Sequence, residues 1–170
     1  SIRLSSPSGI RFISNISLNY EEYFKNAESF EFGTIIMPYK FFNGSFDVST
    51  YSADEYKKIV NTKWLNENSA QQDGYYTYGG ALVEIKETNY IQDYLGVGYL
   101  TVTFNGGKTV TIYGDSVQNV SDHVRNIHYV AKRAYNDNVT GEFIEEILNK
   151  VVVLDYSTGS LQVGTSNESN

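Results

Sequence analysis

The sequence predicts an α+β fold that is mainly β: an antiparallel β-sandwich-like sheet system with C-terminal helices packed against it. Three observations predict this. Residues 98–113, GYLTVTFNGGKTVTIY, set two alternating β-branched and aromatic runs against each other across Asn105-Gly106-Gly107, the pattern of an antiparallel hairpin. Strand-like segments come first and helix-periodic segments last, an order that favours an antiparallel sheet system over a parallel α/β sheet. Aromatic residues make up 15% of the chain, mostly as 15 Tyr and 9 Phe, and such side chains suit strands.

Taken in order, a short arm at 2–4 and a turn at Pro7-Ser8-Gly9 lead into a strand in which Ile10, Phe12, Ser14, Ile16 and Leu18 share one side. Asn19 is placed to cap a short connecting helix over 20–27, where Tyr20, Tyr23 and Phe24 lie at helical spacing and Glu21 and Glu22 occupy the first turn. Residues 30–37, FEFGTIIM, return to a strand that stops at Pro38. From 39 to 72 no period is sustained. Within that loop-rich stretch, Ser52-Ala53-Asp54-Glu55 fits a capping box opening a helix over 53–59, and 63–65 fits a brief strand. YYTYGGALVEIK follows as a strand, with a bend or bulge at Gly79-Gly80.

In the hairpin, Leu100, Val102 and Phe104 form an apolar side, and Tyr99, Thr101 and Thr103 a hydroxyl-rich one. Val110 and Ile112 alternate with Thr109, Thr111 and Tyr113 on the return arm. Beyond it, Val117, Val120, Val124, Ile127, Ala131 and Ala134 recur at spacings of three and four, predicting one long amphipathic helix over 117–134. Thr140 is placed to cap a last helix with Phe143, Ile147, Leu148 and Val151 on one stripe, though Val151-Val152-Val153 also suits a strand.

A chain of 170 residues fits one domain, burying roughly two-thirds of its surface on folding. The expectation is a single globular module over 1–156 and a flexible linker or tail over 157–170, STGSLQVGTSNESN. The chain opens directly on strand-like sequence, which reads as a module excised from a longer protein. A net charge of −7 argues against nucleic acid as a partner, since a phosphate backbone demands clustered Lys and Arg. No stretch reaches the length of a membrane-spanning helix, so membrane insertion is not expected. With no Cys, disulfides, thiolate metal sites and Cys nucleophiles are excluded.

GIRFISNIS at 9–17, FEFGTIIMP at 30–38, GALVEIKETNY at 80–90, GYLTVTF…VTIYGD at 98–115 and HVRNIHYVAKRAY at 123–135, taken together, resemble a recurrent accessory module of secreted and cell-surface multidomain proteins of Firmicutes. The resemblance covers most of residues 1–150 and brings no catalytic signature. What it implies is a place outside the cell, secreted or on the surface, in the company of carbohydrate-active domains of the same chain.

Candidate chemistry follows from residue type and spacing. His123 and His128 are five apart, whereas helical metal-binding pairs use a spacing of four, and no metal or other cofactor is expected. Ser121-Asp122-His123 carries the residue types of a hydrolase triad, but sequence neighbours on a helix point in different directions, and the simpler reading is a capped helix start. Glu31, Glu84, Glu87 and Asp93 are carboxylates of the type a glycosidase pairs, and their positions in sequence do not set a separation. Residues 136–141, NDNVTG, resemble a calcium loop only loosely: the run starts on Asn and places Ile147 where a bidentate Glu is required, so it reads as a helix-capping turn. Aromatic rings weigh more. Trp64, Tyr75, Tyr76 and Tyr78 are the candidate ligand-binding residues, because sugar C–H faces stack on exposed rings. The competing reading has the same rings filling a core. The functional expectation is a non-catalytic extracellular binding or adhesion module, carbohydrate-directed and not an enzyme. The alternative is a structural spacer or docking domain without a ligand of its own.

Overall fold

The computed structural model describes residues 1–155, 157–158 and 160–165. Its elements, in order, are β1 (Ile2–Arg3), β2 (Gly9–Ser17), α1 (Glu21–Lys25), β3 (Ser29–Pro38), β4 (Lys57–Asn61), α2 (Ala70–Asp73), β5 (Tyr75–Val83), β6 (Tyr94–Thr103) and β7 (Thr109–Tyr113). They continue with β8 (Val124–Arg125), α3 (Ile127–Asn136), α4 (Glu142–Asn149), β9 (Lys150–Asp155) and β10 (Ser160–Thr165). All the pairings of known register are antiparallel, and the fold is α+β, mainly β, with helices toward the C-terminal end. The chain forms two compact units, one of Phe12–Gly80 and Tyr94–Val124, the other of Ser1–Arg11, Ala81–Asp93 and the chain from Arg125 onward.

In the first unit the sheet runs β4-β3-β6-β7, with β8 pairing β6 off that path. β3 and β6 are its central strands, and they are buried on both faces. Strand alternation explains this directly: Phe32, Leu100 and Val102 point to one side, where they meet Ile16 of β2 and Tyr76 and Tyr78 of β5. Ile35, Met37, Leu95, Val97 and Tyr99 point to the other, where Phe46, Tyr51, Tyr56, Val120 and Val124 cover them. The loop-rich segment after β3 is therefore a lid on the second face. On the first face the layers come close because Gly96 and Gly98 carry no side chain. A Cβ there would lie 2.3 Å from the Phe12 ring and 2.4 Å from Ser14 Oγ, respectively.

The predicted hairpin is present in register, with Leu100 opposite Ile112 and Val102 opposite Val110. Its hydroxyl-rich side forms a ladder, Thr101 Oγ1 to Thr111 Oγ1 at 2.8 Å and Thr103 Oγ1 to Thr109 Oγ1 at 3.3 Å. Gly106 and Gly107 take φ of +99° and +88°, closing the turn between the bonds Phe104 N–H to Lys108 O and Gly107 N–H to Phe104 O.

Tertiary pairing overrides several local signals. The capping box forms, with Ser52 N–H donating to Glu55 Oε1 at 2.8 Å, but the predicted helix over 53–59 does not. Instead Lys57–Asn61 pairs with β3 as an edge strand, because Ile59 and Val60 gain more from the ladder than from an isolated helical turn. Ser17, not Asn19, accepts the capping bond at the 3₁₀ turn Leu18–Tyr20, and α1 follows as a five-residue helix. Residues 63–65 form no strand.

The long helix predicted over 117–134 is two structures. Val117–His123 is a kinked 3₁₀ segment, and α3 starts only after Asn126, whose side chain accepts from Tyr129 N–H at 2.7 Å. The apolar period spans the break because both halves need buried faces, so period alone does not locate it.

In the second unit, Ile127, Val130, Ala131 and Ala134 of α3 and Ile144 and Ile147 of α4 are buried, and α3 lies against α4 and beside β1. Gly141, not Thr140, stands at the N-cap of α4. Asn138 adopts φ of +62° as Val139 N–H closes back on Ala134 O, so the calcium-like run ends a helix. Val151 to Val153 belong to β9. Part of the expected tail, Ser160–Thr165, pairs antiparallel with β9 as β10, while 166–170 lie outside the described residues.

Candidate functional site

The four aromatic residues singled out in the sequence lie together in the first unit, but three of them face inward. Tyr76 and Tyr78 do share one side of β5, as a period of two requires, and that side is the core: they are 8% and 1% exposed. Trp64 stacks on Phe32 with ring centroids 3.8 Å apart and planes inclined by 15°, and sits 4.7 Å from the Tyr76 ring. The expected open platform of Trp64, Tyr76 and Tyr78 is thus corrected to an aromatic core cluster. Only Tyr75, at 39%, is exposed.

Backbone strapping causes this. Leu65 N–H donates to Thr77 O at 2.7 Å. Asn66 imitates a strand partner, its Nδ2 donating to Tyr75 O at 2.8 Å and its Oδ1 accepting from Thr77 N–H at 2.7 Å. The segment around Trp64 is thereby tied to the rim of β5, and its indole folds over the rings. The inner hydroxyls are satisfied: Tyr76 donates to Glu21 Oε1 at 2.8 Å and Tyr78 to Tyr99 O at 3.2 Å. Burial pushes the Tyr78 phenol up to about 12.

The opposite side of α1 is open. Phe24 anchors the helix in the core, which turns Glu22, Tyr23 and Asn26 outward. With Phe104, at the hairpin end of β6, these residues line a shallow cleft of about 270 Å³. Tyr23 is 55% exposed and its ring lies 6.3 Å from that of Tyr20. Phe104 is half-buried, with one part packed against the core cluster. The cleft therefore holds two aromatic surfaces, a carboxylate and an amide. α1 itself is held by Glu21, which pairs with Lys25 and accepts from Tyr76, and whose carboxyl lies below its usual range chiefly because of the Lys25 ammonium and then the Tyr76 hydroxyl. The sequence marked Tyr20, Tyr23 and Phe24 at helical spacing, but the outward face follows only once Phe24 is seen to be the buried member.

Most of the other candidate groups are engaged elsewhere. His123 Nε2 meets Asp115 Oδ2 at 3.0 Å, so the carboxylate beside it is Asp115 rather than its sequence neighbour Asp122. Asp115 is drawn down to about 2, first by Asn119, then by the Ser116 N–H and His123. Glu31 accepts from the Tyr99 hydroxyl at 2.8 Å and pairs with Lys58 at 2.8 Å. In the second unit Glu87 pairs with Lys150 at 3.3 Å, Asp93 accepts from Asn126 Nδ2 at 3.1 Å, and Glu84 sits at φ of +56°. Among the described residues no three His, Cys, Asp or Glu side chains group as metal ligands, and no helix is long and apolar enough to cross a membrane. No protein-family model, curated protein or solved structure matches this chain.

Proposed function

We propose that this chain is a non-catalytic, carbohydrate-binding module that acts outside the cell, as an accessory part of a secreted or surface protein of the Firmicutes type, beside other domains of its chain. The single observation that carries the reading is the cleft of Glu22, Tyr23, Asn26 and Phe104. Exposed rings offer flat apolar surface for sugar C–H faces, and a carboxylate and an amide beside them bond ring hydroxyls. The shallow, open form suits a polymer passing across it rather than a small molecule enclosed within it. Glu22 at the cleft, together with a net charge of −7, favours a neutral glycan over a sulfated or uronic one. Retention on insoluble neutral polysaccharides tests the proposal, with Tyr23→Ala and Asn26→Ala losing retention. A wild-type protein retained on no polysaccharide, or variants retained equally, would overturn it.

A second reading, a spacer or docking domain, draws on β7. This edge strand leaves Val110 at 39% and Ile112 at 37% exposed, and an unpaired apolar edge accepts another strand. Under that reading the polysaccharide panel is silent and Ile112→Lys abolishes association with the neighbouring domain.

A further inference from the structure

Asn43-Gly44, Asp73-Gly74 and Asn105-Gly106 are the places where an Asx residue precedes glycine, and all lie in the first unit. Such pairs share a latent reaction, because a glycine nitrogen unshielded by a side chain reaches the preceding Asx side-chain carbon more easily than any other residue's. The structure treats the three differently. Asn43 is pinned: its Nδ2 donates to Thr50 Oγ1 at 3.1 Å, its Oδ1 accepts from Ser45 N–H at 3.0 Å, and its own N–H donates to Tyr51 Oη at 3.1 Å. Asp73 is held by Asn66 Nδ2 and Ser69 Oγ, each at 2.8 Å, and the Gly74 N–H is engaged by Ala70 O at 2.9 Å.

Asn105 stands at the exposed tip of the β6–β7 turn. Neither its side chain nor the Gly106 N–H has a hydrogen-bond partner among the described residues, and Gly106 and Gly107 both take positive φ. We propose that Asn105 is a spontaneous deamidation site, and that the fold protects Asn43 from the same chemistry and Asp73 from the parallel isomerisation, in which the succinimide forms with loss of water instead of ammonia. The Gly106 nitrogen loses its proton to solvent and bonds Asn105 Cγ. The Cγ–Nδ2 bond breaks, the nitrogen takes up a proton and leaves as ammonia, and a five-membered succinimide remains. Water then adds to either imide carbonyl and opens the ring to aspartate or isoaspartate, so the net change consumes one water and releases one ammonia. The product adds a negative charge to the residue next to Phe104. An effect of that charge on ligand binding rests on the carbohydrate reading, whereas the modification does not.

The test incubates the intact protein in mildly alkaline buffer, digests it, and follows the peptides carrying residues 43, 73 and 105. Mass spectrometry reads the exchange of amide for acid, and enzymatic methylation of isoaspartate reads isomerisation. Breaking the restraining bonds of Asn43 predicts that Asn105 converts at least about tenfold faster than Asn43 in the folded protein. In urea the two rates converge. Equal rates in the folded protein, a faster Asn43, or no conversion at Asn105 would overturn the proposal. A difference that persists in urea would also overturn it, since flanking sequence rather than fold would then set the rates. Asn105→Gln serves as the control: it removes the signal from that peptide and leaves the other two unchanged.

Discussion

Trp64, Tyr76 and Tyr78 on one side, and Tyr23 and Phe104 on the other, are aromatic side chains of the same unit, yet they are placed oppositely. The first group is stacked in the core with its hydroxyls bonded inside the unit. The second borders open solvent beside the Glu22 carboxylate and the Asn26 amide. Ring identity does not distinguish them; the anchoring residue does. Asn66 ties the Trp64 segment inward, and Phe24 turns the face of α1 that carries Tyr23 outward. An aromatic group therefore stays exposed only when its neighbours have already filled the core.

The largest effect is expected where the inner group is broken. Tyr78→Ala, at a ring 1% exposed, should cost about 3 to 5 kcal/mol in urea unfolding, through lost packing and an empty volume. A loss below about 1 kcal/mol would show that the inner rings are as dispensable as the outer ones. In the second unit, Ile127→Ala removes a fully buried side chain from α3 and should cost about 2 to 5 kcal/mol in the same measurement.

Tyr76→Phe is gentler and tests the link between the two groups, because Tyr76 bonds the helix that carries the cleft. Glu21 has a folded-state pKa below its usual 4.5, so its contribution is complete above that value and is lost as pH falls through the lower folded value. Melting temperature should therefore drop on acidification below pH 4.5. Tyr76→Phe, by raising the Glu21 pKa toward 4.5, should make that drop smaller; an unchanged acid profile would show that the bond does not hold α1.

Smallest in stability is Tyr23→Ala, expected to stay within about 0.5 kcal/mol of wild type. The same change should weaken polysaccharide retention by roughly tenfold or more, the scale of an anchoring ring in an interface. Comparable losses of stability from Tyr23→Ala and Tyr78→Ala would erase the distinction between the groups.

Much of the β framework was legible because its signals are local and agree with each other. In the hairpin, alternation, turn glycines and threonine ladder all point to one register. Elements decided by distant partners were not legible. Residues 57–61 carry a correct capping box just upstream, and only the vacant edge of β3 makes them a strand. The helix start at Asn126 was hidden by an apolar period running through it, since Val120 and Val124 cover a sheet while Ile127 begins a helix. At the site, the shared side of Tyr76 and Tyr78 was readable from period, but whether that side faces solvent depends on which layer lies opposite, which no local pattern encodes.

The stacked indole has one more consequence, and it is optical. Trp64 is the single tryptophan of the chain and lies within 6.0 Å of Phe24, Phe32, Tyr76 and Tyr78, ring centre to ring centre. Its emission therefore reports the integrity of the aromatic cluster in the first unit, fed by energy transfer from the tyrosines packed around it. The second unit carries no tryptophan and is dark in that channel. Fluorescence reads the first unit and far-ultraviolet dichroism reads both together, so any divergence of the two curves through one denaturation would show the second unit unfolding apart from the first, without a label or a substitution.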